Sequence, residues 1–128
     1  TGCIYGVPSL IKHSIPINEN LFVLEMNNDK NKIVGIGLMK NNPCLKKCHI
    51  YNDRYYCKYV YKSKYRIDRV DMGEREKNIL RILDILVFKG DTHIKRGKGI
   101  TEVPKKLLER GKLDFEKLFR EMFADYYH

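Results

Sequence analysis

The segment from Leu21 to Met39 reads LFVLEM, NNDKNK and IVGIGLM, and the predicted fold is built around it. Two apolar runs flank a polar break rich in Asn and Asp, which is the pattern of a strand, a turn and a second strand. Asn and Asp suit the break because their side chains bond nearby backbone and because they accept left-handed φ values. Both runs are apolar at nearly every position, so we expect a central hairpin covered on both faces, in a barrel or under packed helices.

Shorter elements surround this hairpin in the first half of the chain. We expect Cys3–Val7 to form a first strand, Ser9–His13 to form one helical turn, and Ile15–Asn20 to be an extended connector because Pro16 disfavours helix at the residue before it. The aromatic and basic segment Tyr55–Val70 alternates in character, and it is expected to break into two strands, or to bend as one, around Lys62–Lys64.

The second half changes to helical periodicity. Apolar residues recur at helical spacing in three segments, which predicts helices over about residues 74–88, 103–110 and 114–126. Gly90 is placed to end the first helix, and Asp114 is placed to cap the third. Strands followed by helices indicate an α+β fold, with a small, mainly antiparallel sheet or barrel over about residues 3–70, packed by C-terminal helices. The whole chain, residues 1–128, is predicted to form a single domain.

The charge balance indicates a class of partner. The chain has 25 Lys and Arg residues against 16 Asp and Glu, a formal net charge of +9. Such an excess favours a polyanion, with nucleic acid first and an anionic membrane surface second, although a lysine-rich surface also serves solubility alone. No apolar run reaches the length of about 20 residues that spans a bilayer, and the first residues lack the pattern of a secretory signal, so we expect an intracellular protein.

Two basic segments are candidates for a nucleic-acid interface. The first is the aromatic and basic segment, where cations can neutralise phosphates and flat rings can stack on unpaired bases. The second is the glycine-containing loop Lys89–Thr101, in which backbone N–H groups can approach an anion closely. The alternatives are core tyrosines in strands and an ordinary basic surface loop. The predicted nucleic-acid-binding residues are Tyr59, Tyr61, Lys62, Lys64, Arg66, Lys95, Arg96 and Lys98.

Evidence for metal binding or catalysis is thin in this sequence. Cys44, Cys48 and His49 have the spacing of half a zinc site, but Cys57 and Cys3 do not form a second pair in sequence, and small buried thiols are the commoner outcome. No catalytic residue, resident metal or cofactor is assigned. Glu25 lies within an apolar run, where a carboxylate needs a partner or has a raised pKa. It is therefore the acidic residue that we single out as a functional candidate.

The segment Ile33–Leu38, read with its turn and the preceding apolar strand, resembles the PUA-like superfamily, which includes the EVE, ASCH and YTH domains. The resemblance covers about residues 3–70 and implies a small β-barrel that binds RNA or DNA, in several members by taking a modified base into an aromatic-lined pocket. The chain lacks the Trp that YTH-type cages use. Its composition is also similar to that of short, Lys- and Asn-rich proteins of large DNA viruses, which would place it in the host cytoplasm, the nucleus or a virion.

Three functions follow as hypotheses. The first is a non-enzymatic domain that binds RNA or single-stranded DNA and that contacts one extruded or modified base. The second is a structural, assembly or adaptor protein of a virion, in which the apolar stripe Phe115–Phe123 and the terminal Tyr126 and Tyr127 dock a partner or mediate self-association. The third is a small nucleic-acid hydrolase that acts through Glu25.

Overall fold

A computed structural model of the chain describes residues 2–43, 59–90, 93–95 and 99–127. Five strands and three helices follow one another in these ranges: β1 (Cys3–Val7), β2 (Asn20–Asn27), β3 (Lys32–Lys40), β4 (Tyr59–Ser63), β5 (Tyr65–Asp68), α1 (Glu74–Phe88), α2 (Lys105–Glu109) and α3 (Phe115–Tyr126). The strands are antiparallel and form a two-stranded sheet, β1-β4, and a three-stranded sheet, β2-β3-β5. The α+β prediction is confirmed, and the described residues form a pair of small sheets without a closed barrel.

The central hairpin forms as expected, and its turn uses the predicted chemistry. The side-chain oxygen of Asn27 accepts hydrogen bonds from the backbone N–H groups of Asp29 and Lys30, both at 3.1 Å. Asn31 adopts a positive φ of 53°, which Asn tolerates better than most residues. Along β3, Ile33, Ile36 and Met39 are almost completely buried, so this strand supplies core residues to both faces of its sheet.

The chain divides into two compact units, each assembled from non-contiguous segments. Unit 1 comprises Thr1–Val23, Gly37–Arg66 and Gly97–Thr101, and unit 2 comprises Leu24–Ile36, Ile67–Arg96 and Glu102–His128. The expectation that residues 1–128 form a single domain stays a prediction.

The core of unit 1 is a cluster around one buried tyrosine. Tyr61 packs with Val7, Ile11 and Met39 in this cluster, and partly buried side chains surround it. The hydroxyl of Tyr61 accepts a hydrogen bond from the backbone N–H of Ile11 at 3.1 Å. This bond explains why the predicted helical turn over Ser9–His13 is wrong: the segment has no helix, because Ile11 is held in an irregular loop by a residue 50 positions away.

Unit 2 contains the three helices, and their ends follow the sequence signals. The side chain of Asp114 accepts a hydrogen bond from the backbone N–H of Lys117, which caps α3. Gly90 has a φ of +81° just beyond α1, the left-handed conformation that commonly ends a helix. The buried helix residues lie at helical spacing and include Leu80, Leu83 and Phe119. The predicted bounds of the helices are therefore confirmed to within a few residues.

A buried ion pair in unit 2 joins α1 to the start of β3. The Arg69 guanidinium lies 2.9 Å from the Asp84 carboxylate, and the two side chains are only 17% and 13% exposed. Asp84 also accepts the backbone N–H of Ile33 at 2.8 Å, while Arg69 donates to the carbonyl oxygen of Ile33 at 2.8 Å. The pair therefore bonds both backbone groups of Ile33.

Candidate nucleic-acid interface

The two-stranded sheet of unit 1 positions the candidate site. β1 and β4 pair with Cys3 opposite Ser63, Ile4 opposite Lys62, and Tyr5 opposite Tyr61. Because side chains alternate across a strand, Cys3 and Tyr61 lie on the face that packs into the core, and Ile4 and Lys62 lie on the other face. Ile4 is 52% exposed and Lys62 is exposed, so this end of the second face is open to solvent.

The chain bends between β4 and β5, and two hydrogen bonds, one of them from distant Cys3, stabilise the bend. The Ser63 hydroxyl accepts the backbone N–H of Tyr65 at 3.2 Å, and the Cys3 thiol donates to the carbonyl oxygen of Tyr65 at 3.6 Å. Lys64 lies at the tip between these two anchored residues. We call residues Lys62–Tyr65 the β4–β5 corner.

An open pocket of about 450 Å³ lies beside this corner. Its lining consists of Gly2, Cys3, Ile4, Lys62, Ser63 and Lys64. Gly2 is required where it stands, because a Cβ atom at this position would overlap the carbonyl oxygen of Ser63. The lining of the pocket is therefore mainly apolar, and two exposed lysines of the corner contribute to it.

The predicted site residues divide according to their burial. Lys62 and Lys64 are exposed and both line the pocket. Arg66 is half-buried and takes part in other interactions, and Lys95 is half-buried in unit 2. Arg96 and Lys98 lie outside the described residues.

The prediction that the Tyr61 ring stacks on a base is wrong, since its side chain is only 1% exposed and fills the core of unit 1. Tyr59 is half-buried against the same core. The exposed ring of the corner is that of Tyr65, at 46% exposure. Sequence alternation does not separate the two rings, because Tyr61 and Tyr65 have the same parity and only Tyr61 is buried.

Ile4 and Gly2 were not anticipated by the sequence. They come next to Lys62 and Lys64 only through pairing between segments about 60 residues apart, and no local pattern encodes that pairing.

The other candidate chemistries find little support in the described residues. These residues contain no group of three or more His, Cys, Asp or Glu side chains that could hold a metal ion, and Glu25, half-buried in β2, belongs to no such group. The possible zinc ligands Cys44, Cys48, His49 and Cys57 lie outside the described residues. Among the helices of the described ranges, none has the length and apolar character needed to cross a bilayer.

Comparison with known proteins finds no match among family models, curated proteins or solved structures. The functional argument therefore rests on the residues of the β4–β5 corner and its pocket.

Proposed function

We propose that this protein binds single-stranded nucleic acid, RNA or DNA, through the β4–β5 corner, without catalysing a reaction. The observation that carries the proposal is the pair of exposed lysines, Lys62 and Lys64, which line one pocket, together with the exposed side chain of Tyr65, the residue that follows Lys64. Ammonium groups bind phosphates as point charges, and an exposed aromatic ring offers a surface on which an unpaired base can stack. The net charge of +9 adds long-range attraction to a polyanion.

Charge-matched double variants test this proposal. Lys30 and Lys32 are also exposed, are also separated by one residue, and belong to unit 2, at the turn of the central hairpin. K62A/K64A and K30A/K32A therefore lower the net charge equally. Binding of a fluorescent single-stranded oligonucleotide is measured by anisotropy across a salt titration.

If Lys62 and Lys64 each contact one phosphate, the slope of log K against log salt concentration becomes shallower by about 1.4 in K62A/K64A, since each contact with a single strand contributes about 0.7. K30A/K32A retains the slope of the unmodified protein. Equal slopes in the two variants, or no binding by the unmodified protein at low salt, would overturn the proposal.

A matched pair of tyrosine variants tests the stacking role. Tyr65 and Tyr126 have nearly equal exposures of 46% and 48%, but they lie in different units. Because stacking contributes about 1–3 kcal/mol per base, Tyr65→Ala should weaken binding about fivefold or more, and Tyr126→Ala should leave it unchanged. Equal effects of the two substitutions would contradict a specific role for Tyr65.

The second candidate function is docking of a protein partner, such as another virion or assembly component, through the end of α3. Tyr126 and Tyr127 are both partly exposed, and their rings contact each other edge-to-face with centroids 4.9 Å apart. Light scattering with and without nucleic acid separates the two functions. A stable oligomer that is indifferent to nucleic acid and is disrupted by Tyr126→Ala would favour docking.

A further inference from the structure

We infer that the open pocket lined by the paired ends of β1 and β4 holds one base of the bound strand and that Ile4 forms the surface on which this base packs. This inference rests on the proposed function, because it assigns a ligand group to a cavity beside the same two lysines. It adds Ile4 and Gly2, two residues of β1 and its approach, to a site otherwise made by β4 and β5.

The lining of the pocket indicates a ligand with both an apolar and an anionic part. Its volume of about 450 Å³ falls within the range of roughly 300–1,000 Å³ that small-molecule sites occupy. Ile4 presents an exposed apolar side chain at the pocket, and Gly2 packs closely against the backbone of Ser63. Lys62, the cross-strand neighbour of Ile4, and Lys64 provide positive charge. A single nucleotide unit has this combination, with a planar base and an attached phosphate.

The exposed side chain of Ile4 is relevant to binding because of the residue that it pairs with. An isolated exposed isoleucine is common on protein surfaces and needs no explanation. Ile4, however, is the direct cross-strand partner of Lys62, and residues paired in this way have Cβ atoms about 4.5–5.5 Å apart. A base packed on Ile4 therefore has its phosphate within reach of the Lys62 ammonium group.

This arrangement selects an unpaired strand. A base within a duplex is stacked on both faces and paired along one edge, so it enters a side pocket only after unstacking and unpairing, which takes a few kcal/mol. A base in a single strand has no pairing to lose.

The experiment combines a protein variant with a ligand from which the base has been removed. Affinities are measured for a single-stranded oligonucleotide and for an abasic strand with the same number of phosphates. Ile4→Ser removes the apolar surface, and Ile17→Ser is the matched control because Ile17 is 75% exposed in the same unit and does not line the pocket.

We expect Ile4→Ser to weaken binding of the base-containing strand about fivefold to tenfold, the loss that corresponds to roughly 40–50 Å² of apolar contact, and to leave binding of the abasic strand unchanged. Ile17→Ser should change neither affinity. The two losses, of the base and of the Ile4 side chain, should be non-additive, as expected for groups in direct contact.

The outcomes separate this inference from the proposed function. If neither strand binds at low salt, the proposed function fails. If both strands bind with equal affinity to the unmodified protein, or if Ile4→Ser weakens both equally, binding to nucleic acid stands and the base pocket is overturned. The comparison of the two strands on the unmodified protein requires no variant, so a folding defect in Ile4→Ser does not prevent the test. Binding to phosphatidylserine vesicles that is weakened by Ile4→Ser, together with equal binding of the two strands, would assign the pocket to a lipid and overturn the inference.

Discussion

The two units use charge and polarity in different ways. In unit 2, a pair of opposite charges, Arg69 and Asp84, is largely withdrawn from solvent and bound to the backbone of Ile33. In unit 1, two neutral groups, the Tyr61 hydroxyl and the Asn41 amide, make hydrogen bonds to the backbone, while Lys62 and Lys64 remain exposed. A net charge of +9 therefore does not by itself identify functional residues. Burial and hydrogen bonding separate the charges that hold the fold from those available to a ligand.

The largest effect is expected from breaking the buried ion pair of unit 2. Asp84→Ala leaves the Ile33 backbone N–H without its acceptor and the Arg69 guanidinium without its carboxylate, and for this partly buried pair we expect a loss of about 2–3 kcal/mol, below the range of about 3–5 kcal/mol for fully buried pairs. Urea unfolding followed by circular dichroism measures this loss as a lower midpoint. A change below about 1 kcal/mol would show that water replaces the carboxylate and that the pair is not a structural element.

The next effect tests the neutral polar interior of unit 1. Asn41 is 6% exposed, and its amide donates to the carbonyl oxygens of Ile15 and Pro16 at 3.0 and 3.1 Å. Asn41→Ala should lower the free energy of unfolding by about 1–2 kcal/mol, because the carbonyl groups of Ile15 and Pro16 lose a donor whose own side chain is buried. The exposed Asn28→Ala, in the hairpin turn, serves as the control and should change stability by less than about 0.5 kcal/mol. Equal midpoints for these two variants would contradict the assignment.

A smaller effect is expected from removing one hydroxyl group. Tyr61→Phe keeps the ring in the core of unit 1 but removes the acceptor for the Ile11 backbone N–H, so a loss of about 1 kcal/mol is expected. Tyr126→Phe should be neutral, since that side chain is about half exposed. Hydrogen exchange of the Ile11 amide is the sharper readout, and unchanged protection in Tyr61→Phe would show that the hydroxyl is not its partner.

The smallest loss of stability is expected from breaking the exposed ion pair of α3, which is the exposed counterpart of the Arg69–Asp84 pair. Arg120 lies 2.9 Å from Glu116, one turn earlier, but the two side chains are 59% and 72% exposed. Glu116→Ala should destabilise the protein by no more than about 0.5 kcal/mol, and added salt should reduce even that. Thermal unfolding at low and high ionic strength measures both quantities. A loss comparable to that of Asp84→Ala would show that exposure does not separate structural from surface charges here.

Local chemistry made much of this fold predictable. The Asn- and Asp-rich break between two apolar runs predicted the central hairpin, because these side chains form the turn themselves. Helical spacing, Gly90 and Asp114 predicted the helices, because these signals also depend only on residues that are close together in the chain. The irregular segment around Ile11 was missed because its hydrogen-bond acceptor, Tyr61, is distant in the chain.

The site was predictable only in part. Lys62 and Lys64 follow from composition, because lysines in a strand next to a turn are usually exposed. Sequence alternation does not show which tyrosine ring is exposed, and the apolar surface at Ile4 depends on the pairing of β1 with β4. These features arise from tertiary contacts, which no window of sequence contains.

The side-chain bonds to Ile33 have a consequence for aggregation. Backbone N–H and C=O groups of a strand that are left without hydrogen-bond partners can serve as a template to which a foreign strand adds. At Ile33, Asp84 occupies the N–H and Arg69 occupies the C=O, so these two groups are not available as a template. The two side chains that connect α1 to β3 thus also prevent another strand from pairing with the backbone at this position.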